Sequence, residues 1–185
     1  LDFSNSKILI VGDVMLDKYY FGKVDRISPE APVPIVNIQK EESRLGGASN
    51  VANNIVSLGG HSLLCGVIGH DLFGKEIERI SRHKNIDTFL LKTSSPTITK
   101  ARIIGGKQQI VRVDYEDKSE LNADNKKLFR DTISRILPEY DILVISDYGK
   151  GLISEDLCRY LIKLAHKYDK KVIIDPKGKN WEKYS

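Results

Sequence analysis

The sequence predicts a three-layer α/β fold on a mostly parallel sheet. Short apolar runs end in glycine or polar residues, amphipathic helical stripes lie between them, and two β-rich segments interrupt the alternation. The first run, Ile8-Leu9-Ile10-Val11, reads as a buried strand that closes on Gly12-Asp13. Asp13 is thereby set at the carboxyl tip of a parallel strand, where functional loops usually lie. Comparable runs occupy residues 63–68, 142–145 and 172–174, the last two closing on Ser146-Asp147 and on Asp175.

Between these runs the apolar residues recur at helical spacing. Val51, Ile55 and Leu58 form one stripe, Phe129, Ile133, Ile136 and Leu137 a second, and Leu157, Leu161, Leu164 and Ala165 a third. Each stripe can cover one face of a sheet, with right-handed crossovers between parallel strands. Residues 19–38 carry Pro29, Pro32 and Pro34, which excludes a helix, and residues 97–115 place β-type residues on both sides of Gly105-Gly106, which predicts a hairpin. Paired together, these segments, near 16–38 and 97–115, would form a small sheet beside the main one, suited to a lid or a dimer surface. No repeat, low-complexity tract or long linker divides the chain.

The 185 residues are 41% hydrophobic, with 29 Lys and Arg against 25 Asp and Glu for a formal charge of +4. These charges are scattered, so nucleic acid is not an expected partner, while a small anionic ligand is compatible with the balance. Cys65 and Cys158 lie far apart inside apolar patterns and read as reduced core residues; His61, His70, His83 and His166 show no ligand spacing. No apolar stretch approaches ~18 residues and no basic leader opens the chain, so the expectation is a soluble, cytoplasmic protein without a membrane partner. Leu1 and Ser185 read as cloning or proteolytic boundaries.

The most informative run is Leu45-Gly46-Gly47-Ala48-Ser49-Asn50, a glycine pair that opens a helix. Small residues admit a ligand close to the backbone, the helix start offers free amide donors, and Asn50 can donate to and accept from hydroxyls. By spacing alone the same run is equally a tight turn with a cap. It is not a phosphate loop of the Gly-x-x-x-x-Gly-Lys type, because no lysine follows at the required distance.

With the Gly12-Asp13 strand end before it, this Gly-Gly-x-x-Asn turn resembles the ribokinase-like carbohydrate kinases, and the run Gly66 to Gly74 is similar to that family's strand-to-helix turn. Gly12-Asp13-Val14-Met15-Leu16-Asp17-Lys18-Tyr19, then Arg26-Ile27-Ser28-Pro29-Glu30-Ala31-Pro32-Val33-Pro34, resembles the opening of the bacterial D-glycero-beta-D-manno-heptose 7-phosphate kinases. Ser146-Asp147-Tyr148-Gly149-Lys150-Gly151 and Asp175-Pro176-Lys177-Gly178 extend the likeness over essentially the whole chain. The resemblance implies a Rossmann-like ribokinase fold, here incomplete, whose residues 1–185 are the N-terminal part of a kinase domain.

It further implies that Asp13 and Asn50 bind sugar hydroxyls in one shared pocket, with Gly46 and Gly47 letting the sugar lie against the backbone. Arg102, Lys107, Gln109 and Arg112 sit on the expected hairpin, where strand alternation would turn some of them over the sugar. Lys150 and Lys177 become candidates for a phosphate or the transferring phosphoryl group. Asp147 and Asp175 would orient those lysines or help position hydrated magnesium. Structural alternatives stay open: Asp13 as a loop cap, the lysines as solvated charges.

The family's later Gly-Ala-Gly-Asp catalytic turn is not in this sequence. The resemblance therefore implies that ATP and Mg2+ serve the complete protein, that this portion alone is inactive, and that a homodimer forms through the lid strands. Its implied activity is phosphorylation of a heptose 7-phosphate at the anomeric hydroxyl, for ADP-heptose and lipopolysaccharide core biosynthesis. A kinase for another sugar or nucleoside, or a non-catalytic sugar-binding or dimerising module, fits the same motifs.

Overall fold

Strand and helix alternate along the residues described by the computed structural model, 3–178 and 180–184. In chain order they are β1 (Lys7–Gly12), β2 (Val14–Ile27), β3 (Pro34–Gly47), α1 (Ala48–Ser57), β4 (His61–Gly69), α2 (Leu72–His83), β5 (Asp87–Thr93), β6 (Thr99–Gly105), β7 (Gln108–Tyr115), α3 (Ala123–Ile136), β8 (Ile142–Ser146), α4 (Glu155–Lys167) and β9 (Lys171–Asp175). The main sheet runs β5-β4-β1-β8-β9 with every pair parallel.

Because successive side chains of a strand point to opposite faces, β1 feeds two cores. Leu9 and Val11 pack with Phe129, Ile133, Leu157 and Leu161 of α3 and α4, while Ile10 packs with Ala48, Ala52, Ile77 and Ile80 of α1 and α2. Helices thus cover both faces, giving the three layers read from the sequence. Phe129 is fully buried, its ring 5.8 Å from that of Phe89. Cys65 and Cys158 are free and buried in the first core, where burial pushes both thiols up, away from the reactive thiolate.

Side-chain caps start three of the helices. Asp71 accepts from the Gly74 amide at 2.7 Å, Asn122 from Asn125 at 2.9 Å and Ser154 from Leu157 at 3.2 Å, each satisfying a donor the helix leaves free. Helix α1 has no such side chain; it starts directly after Gly47. Leu58, assigned to its apolar stripe by spacing, lies beyond the helix end and is 66% exposed. Strand β5 has no counterpart in the sequence reading. It is an edge strand with no buried residue, so its Phe89, Leu90 and Leu91 lack clear burial alternation.

The two interrupting segments enter a second sheet, ordered β3-β2-β6-β7. Its strands reach further than expected: β2 and β3 are 14 residues each and pair antiparallel from Val14–Gly47 out to Ile27–Pro34, with register shifts at Phe21/Gly22 and Val24/Arg26. Strands β6 and β7 form the hairpin, and β6 joins β2 in parallel, Leu16 facing Thr99 and Gly22 facing Gly105. No described helix is long and apolar enough to cross a membrane.

Candidate functional site

The chain passes from one sheet to the other at Asp13. Its amide donates to the Ser146 carbonyl at 3.1 Å, and its carbonyl accepts from Ala48 at 3.0 Å. Its carboxylate Oδ2 accepts the amides of Tyr148 at 2.8 Å and Lys150 at 3.1 Å, and the residue is 1% exposed. Burial raises the carboxyl above its ordinary value, the Tyr148 and Lys150 amides pull it down, and the nearby Asp147 charge adds to the rise. Asp13 is thus an anchor for the 148–150 loop.

Asp13 and Asn50, expected in one pocket, line different cavities. Asp13 and Val14 line a cavity of about 200 Å³, whereas Asn50, Gly46 and Gly47 line a separate one of about 620 Å³. The physical reason is that Asp13 lies between β1 and β2, where the Tyr148 and Lys150 amides hold its carboxylate. Met15 and Asp17 share a face of β2, and both line the larger cavity, so the carboxylate that reaches Asn50's side is Asp17.

Glycine is required on the wall of this larger cavity. A Cβ at Gly46 would lie 2.5 Å from Asp17 Oδ2 and 2.9 Å from Met15 Cγ; at Gly47, whose φ is 55°, it would lie 2.4 Å from the Asp13 carbonyl oxygen. Asp17 Oδ1 receives Arg102 Nη1 at 2.6 Å, and both side chains retain about a fifth of their exposure, 22% and 21%. The guanidinium groups of Arg44 and Arg102 lie 4.9 and 5.1 Å from the Tyr19 ring centroid, which fixes their approach. Lys84, Lys100, Asn53 and Tyr148 also line it, with Ser43, Leu45 and Ile80. One carboxylate and two asparagine amides suit hydroxyl groups, while Arg44, Lys100 and Arg102 suit a phosphoryl group.

The remaining expected residues lie elsewhere. Gln109 and Arg112 sit on exposed β7 outside this cavity, and Arg112 grips Asp114 through Nε at 2.8 Å and Nη2 at 3.0 Å. Lys107 is exposed at the hairpin turn. Lys150 pairs through Nζ with Glu116 and lines the smaller cavity. Lys177 also lies outside the larger cavity, and its amide donates to Tyr184 Oη at 3.0 Å. Asp147 does not orient either lysine: Oδ1 accepts from the Gly149 amide at 2.8 Å, and Oδ2 accepts Tyr184 Oη at 2.8 Å and pairs with Lys183. The Asp175 carboxylate bonds the Tyr148 side chain, and burial followed by the Asp175 charge holds the Tyr148 phenol above its ordinary range.

Asp17, Arg44, Asn53, Lys100 and Tyr148 were not singled out by the sequence reading. Asp17 was within reach of it, standing two residues after Met15 in a β-type run, but the facing partner that sets the phase of that run lies 27 to 33 residues away on β3. Among the described residues no three acidic, histidine or cysteine side chains gather as a metal set.

Residues 5–185 match the model of the pfkB family of carbohydrate kinases. The chain belongs to this family. It is 48% identical over 181 residues to the bifunctional protein HldE of Helicobacter pylori strain P12, covering 97% of this chain and 39% of that protein. It is 44% identical over 182 residues to the D-beta-D-heptose 7-phosphate kinase of Bordetella bronchiseptica, covering 98% of this chain and 57% of that one. The chain therefore spans between two fifths and three fifths of these pfkB relatives. A putative phosphofructokinase from Staphylococcus aureus superposes with TM-score 0.78 at 14% identity, over 96% of this chain and 55% of that one. Phosphofructokinase-2 from Escherichia coli does so with TM-score 0.72 at 20% identity, over 97% and 57%. At these identities the two structures establish the ribokinase-like fold.

Two predictions test the site. Gly46→Ala is expected to cost about 1–3 kcal/mol by crowding Asp17. Asp17→Ala frees that space, so the double variant loses less than the sum of the singles in urea unfolding; strict additivity contradicts the contact. The second concerns pH. A carboxyl whose folded pKa is raised binds its proton more tightly in the folded than in the unfolded state, so protonation favours the fold. Stability is therefore lost as pH climbs from the ordinary value of 3.8 through the raised folded value of Asp13. The uncharged, isosteric Asp13→Asn lacks this loss. Its unfolding free energy relative to the native chain is expected to increase across that window and level off above it, and a flat difference contradicts the assignment.

Proposed function

We propose that this chain supplies the acceptor-binding part of an ATP-dependent kinase that phosphorylates a heptose 7-phosphate at its anomeric hydroxyl. The observation that carries the reading is the composition of the 620 Å³ cavity, where hydroxyl-matching Asp17, Asn50 and Asn53 stand with the cationic Arg44, Lys100 and Arg102. A ligand with a polyol body and an anionic end satisfies both. The relatives named for heptose 7-phosphate kinase and HldE, at 44% and 48% identity, support heptose over other sugars.

In this reading the chain's residues bind and orient. Asp17 accepts acceptor hydroxyl protons, the Gly46-Gly47 backbone lies against the sugar, and the arginines and Lys100 hold the existing phosphate. Magnesium bound with ATP neutralises charge on the transferring group. No metal set gathers among the described residues, and no step here passes through the nucleotide or its metal. The product, a heptose 1,7-bisphosphate, would serve cytoplasmic synthesis of ADP-heptose for lipopolysaccharide.

The second sheet acts as lid and dimer surface. Val24, Ile27, Val33, Val111 and Val113 are 40–62% exposed on its strands and connecting turn, which supports cover by a second copy.

With the complete parent protein, phosphorylation from ATP is expected to prefer heptose 7-phosphate over unphosphorylated pentoses and nucleosides. Asp17→Asn should lower kcat/KM about 10- to 150-fold, the loss of a charged hydrogen bond. A preference for a free pentose sinks the heptose reading. Sedimentation of the same protein is expected to give a dimer that dissociates on Val111→Asp; a monomeric native protein removes the dimer proposal.

A further inference from the structure

The 200 Å³ cavity shares no lining residue with the acceptor cavity. It lies at the carboxyl ends of β1, β4 and β5, walled by Asp13 and Val14, by Val67 and Ile68, and by Thr93, the edge at which open parallel sheets receive ligands. Two of these residues hold polar atoms that are buried and closed by no hydrogen bond among the described residues: Asp13 Oδ1 and Thr93 Oγ1. Asp13 is 1% exposed, and both its amide partners bind the other oxygen, Oδ2. The Leu152 amide lies near the carboxyl, but no bond closes on Oδ1. An unpaired buried polar group costs ~1–3 kcal/mol, so two facing one cavity call for a partner there.

The lining sets the chemistry of that partner. Asp117 is bonded by Ser95 and Ser119, Glu120 pairs with Lys126 and the Lys150 ammonium is held by Glu116, so Asp13 is the lining charge left without a counter-ion and an anion is disfavoured. Asn122 spends its side-chain oxygen on the Asn125 amide and keeps its NH2 group as a donor. An ammonium ligand, which only donates, cannot meet that donor, whereas a hydroxyl both donates to the carboxylate and accepts from the amide. Val14, Val67, Ile68 and Leu152 supply apolar wall for a carbon skeleton. At ~30 Å³ for each water-sized unit, the volume holds a molecule of roughly six to eight heavy atoms.

We infer that this cavity is a second binding site, distinct from the acceptor cavity, for a small uncharged polyol of about four carbons. Asp13 and Thr93 are its polar contacts. The site does not depend on which sugar the acceptor cavity takes.

Erythritol is the probe, with the complete parent protein observed by saturation-transfer NMR and calorimetry. Native protein is expected to bind it whether or not the acceptor cavity is filled, and erythritol 4-phosphate is expected not to displace it. Thr93→Val keeps shape and removes only an unpaired hydroxyl, so the fold is retained while erythritol binding weakens at least about 10-fold, the loss of one hydrogen bond and its desolvated partner. Asp13→Asn, which turns the facing acceptor into a donor, is expected to weaken it similarly. Arg102→Ala, in the other cavity, is expected to leave it unchanged. Absence of erythritol binding to native protein, or binding lost in Arg102→Ala and kept in Thr93→Val, overturns the inference. Acceptor binding measured on the same variants separates this result from failure of the heptose reading.

Discussion

One residue ties the two sheets, the first helix and the glycine-bearing loop together. The main chain of Asp13 bridges β8 through Ser146 and α1 through Ala48, and its carboxylate holds the Tyr148 and Lys150 amides. A carboxylate at 1% exposure is tolerated because backbone donors replace the water it lost. These bonds fix where β2 starts and where α1 begins, and the larger cavity is lined from both elements. The residue that appears most exposed to ligand in the sequence motif is therefore the one most occupied by the protein itself.

The larger cavity owes its character to pairing at long range. Arg102 comes from β6, 85 residues after its partner Asp17 on β2, and reaches it because those strands run parallel in register, Asp17 beside Lys100 and Tyr19 beside Arg102. Arg44 faces Asp17 across the antiparallel β2–β3 ladder. A sheet that brings charges of both signs onto one face gives the cavity a carboxylate beside guanidinium and ammonium groups. The absence of side chains at Gly46 and Gly47 lets the Asp17 carboxylate and the Asp13 carbonyl stand close to the start of α1.

Much of the fold was legible in the sequence because buried parallel strands are short continuous apolar runs and covering helices are amphipathic. Residues 8–11 and 142–145 satisfy the first condition, and Leu157, Leu161 and Leu164 the second. Strand β5 was not legible, since an edge strand with intermediate burial loses the contrast that marks its neighbours. The length of β2 and β3 was missed for a related reason: residues 39–44, Gln-Lys-Glu-Glu-Ser-Arg, are polar on both faces of the ribbon and carry no alternation.

The sequence by itself determined the α/β class, the order of motifs that placed the chain among sugar kinases, the glycine pair that opens α1 and the reduced state of Cys65 and Cys158. These depend on local periodicity, backbone freedom and side-chain polarity, which neighbours in the chain express directly. Tertiary structure alone decided that Asp17 and not Asp13 lines the cavity of Asn50, that Lys150 serves Glu116, and that Asp147 serves Lys183 and Tyr184. The role of each carboxylate is set by the donors that the fold brings to it from far along the chain, Arg102 for Asp17, Tyr148 and Lys150 for Asp13, and Tyr184 and Lys183 for Asp147.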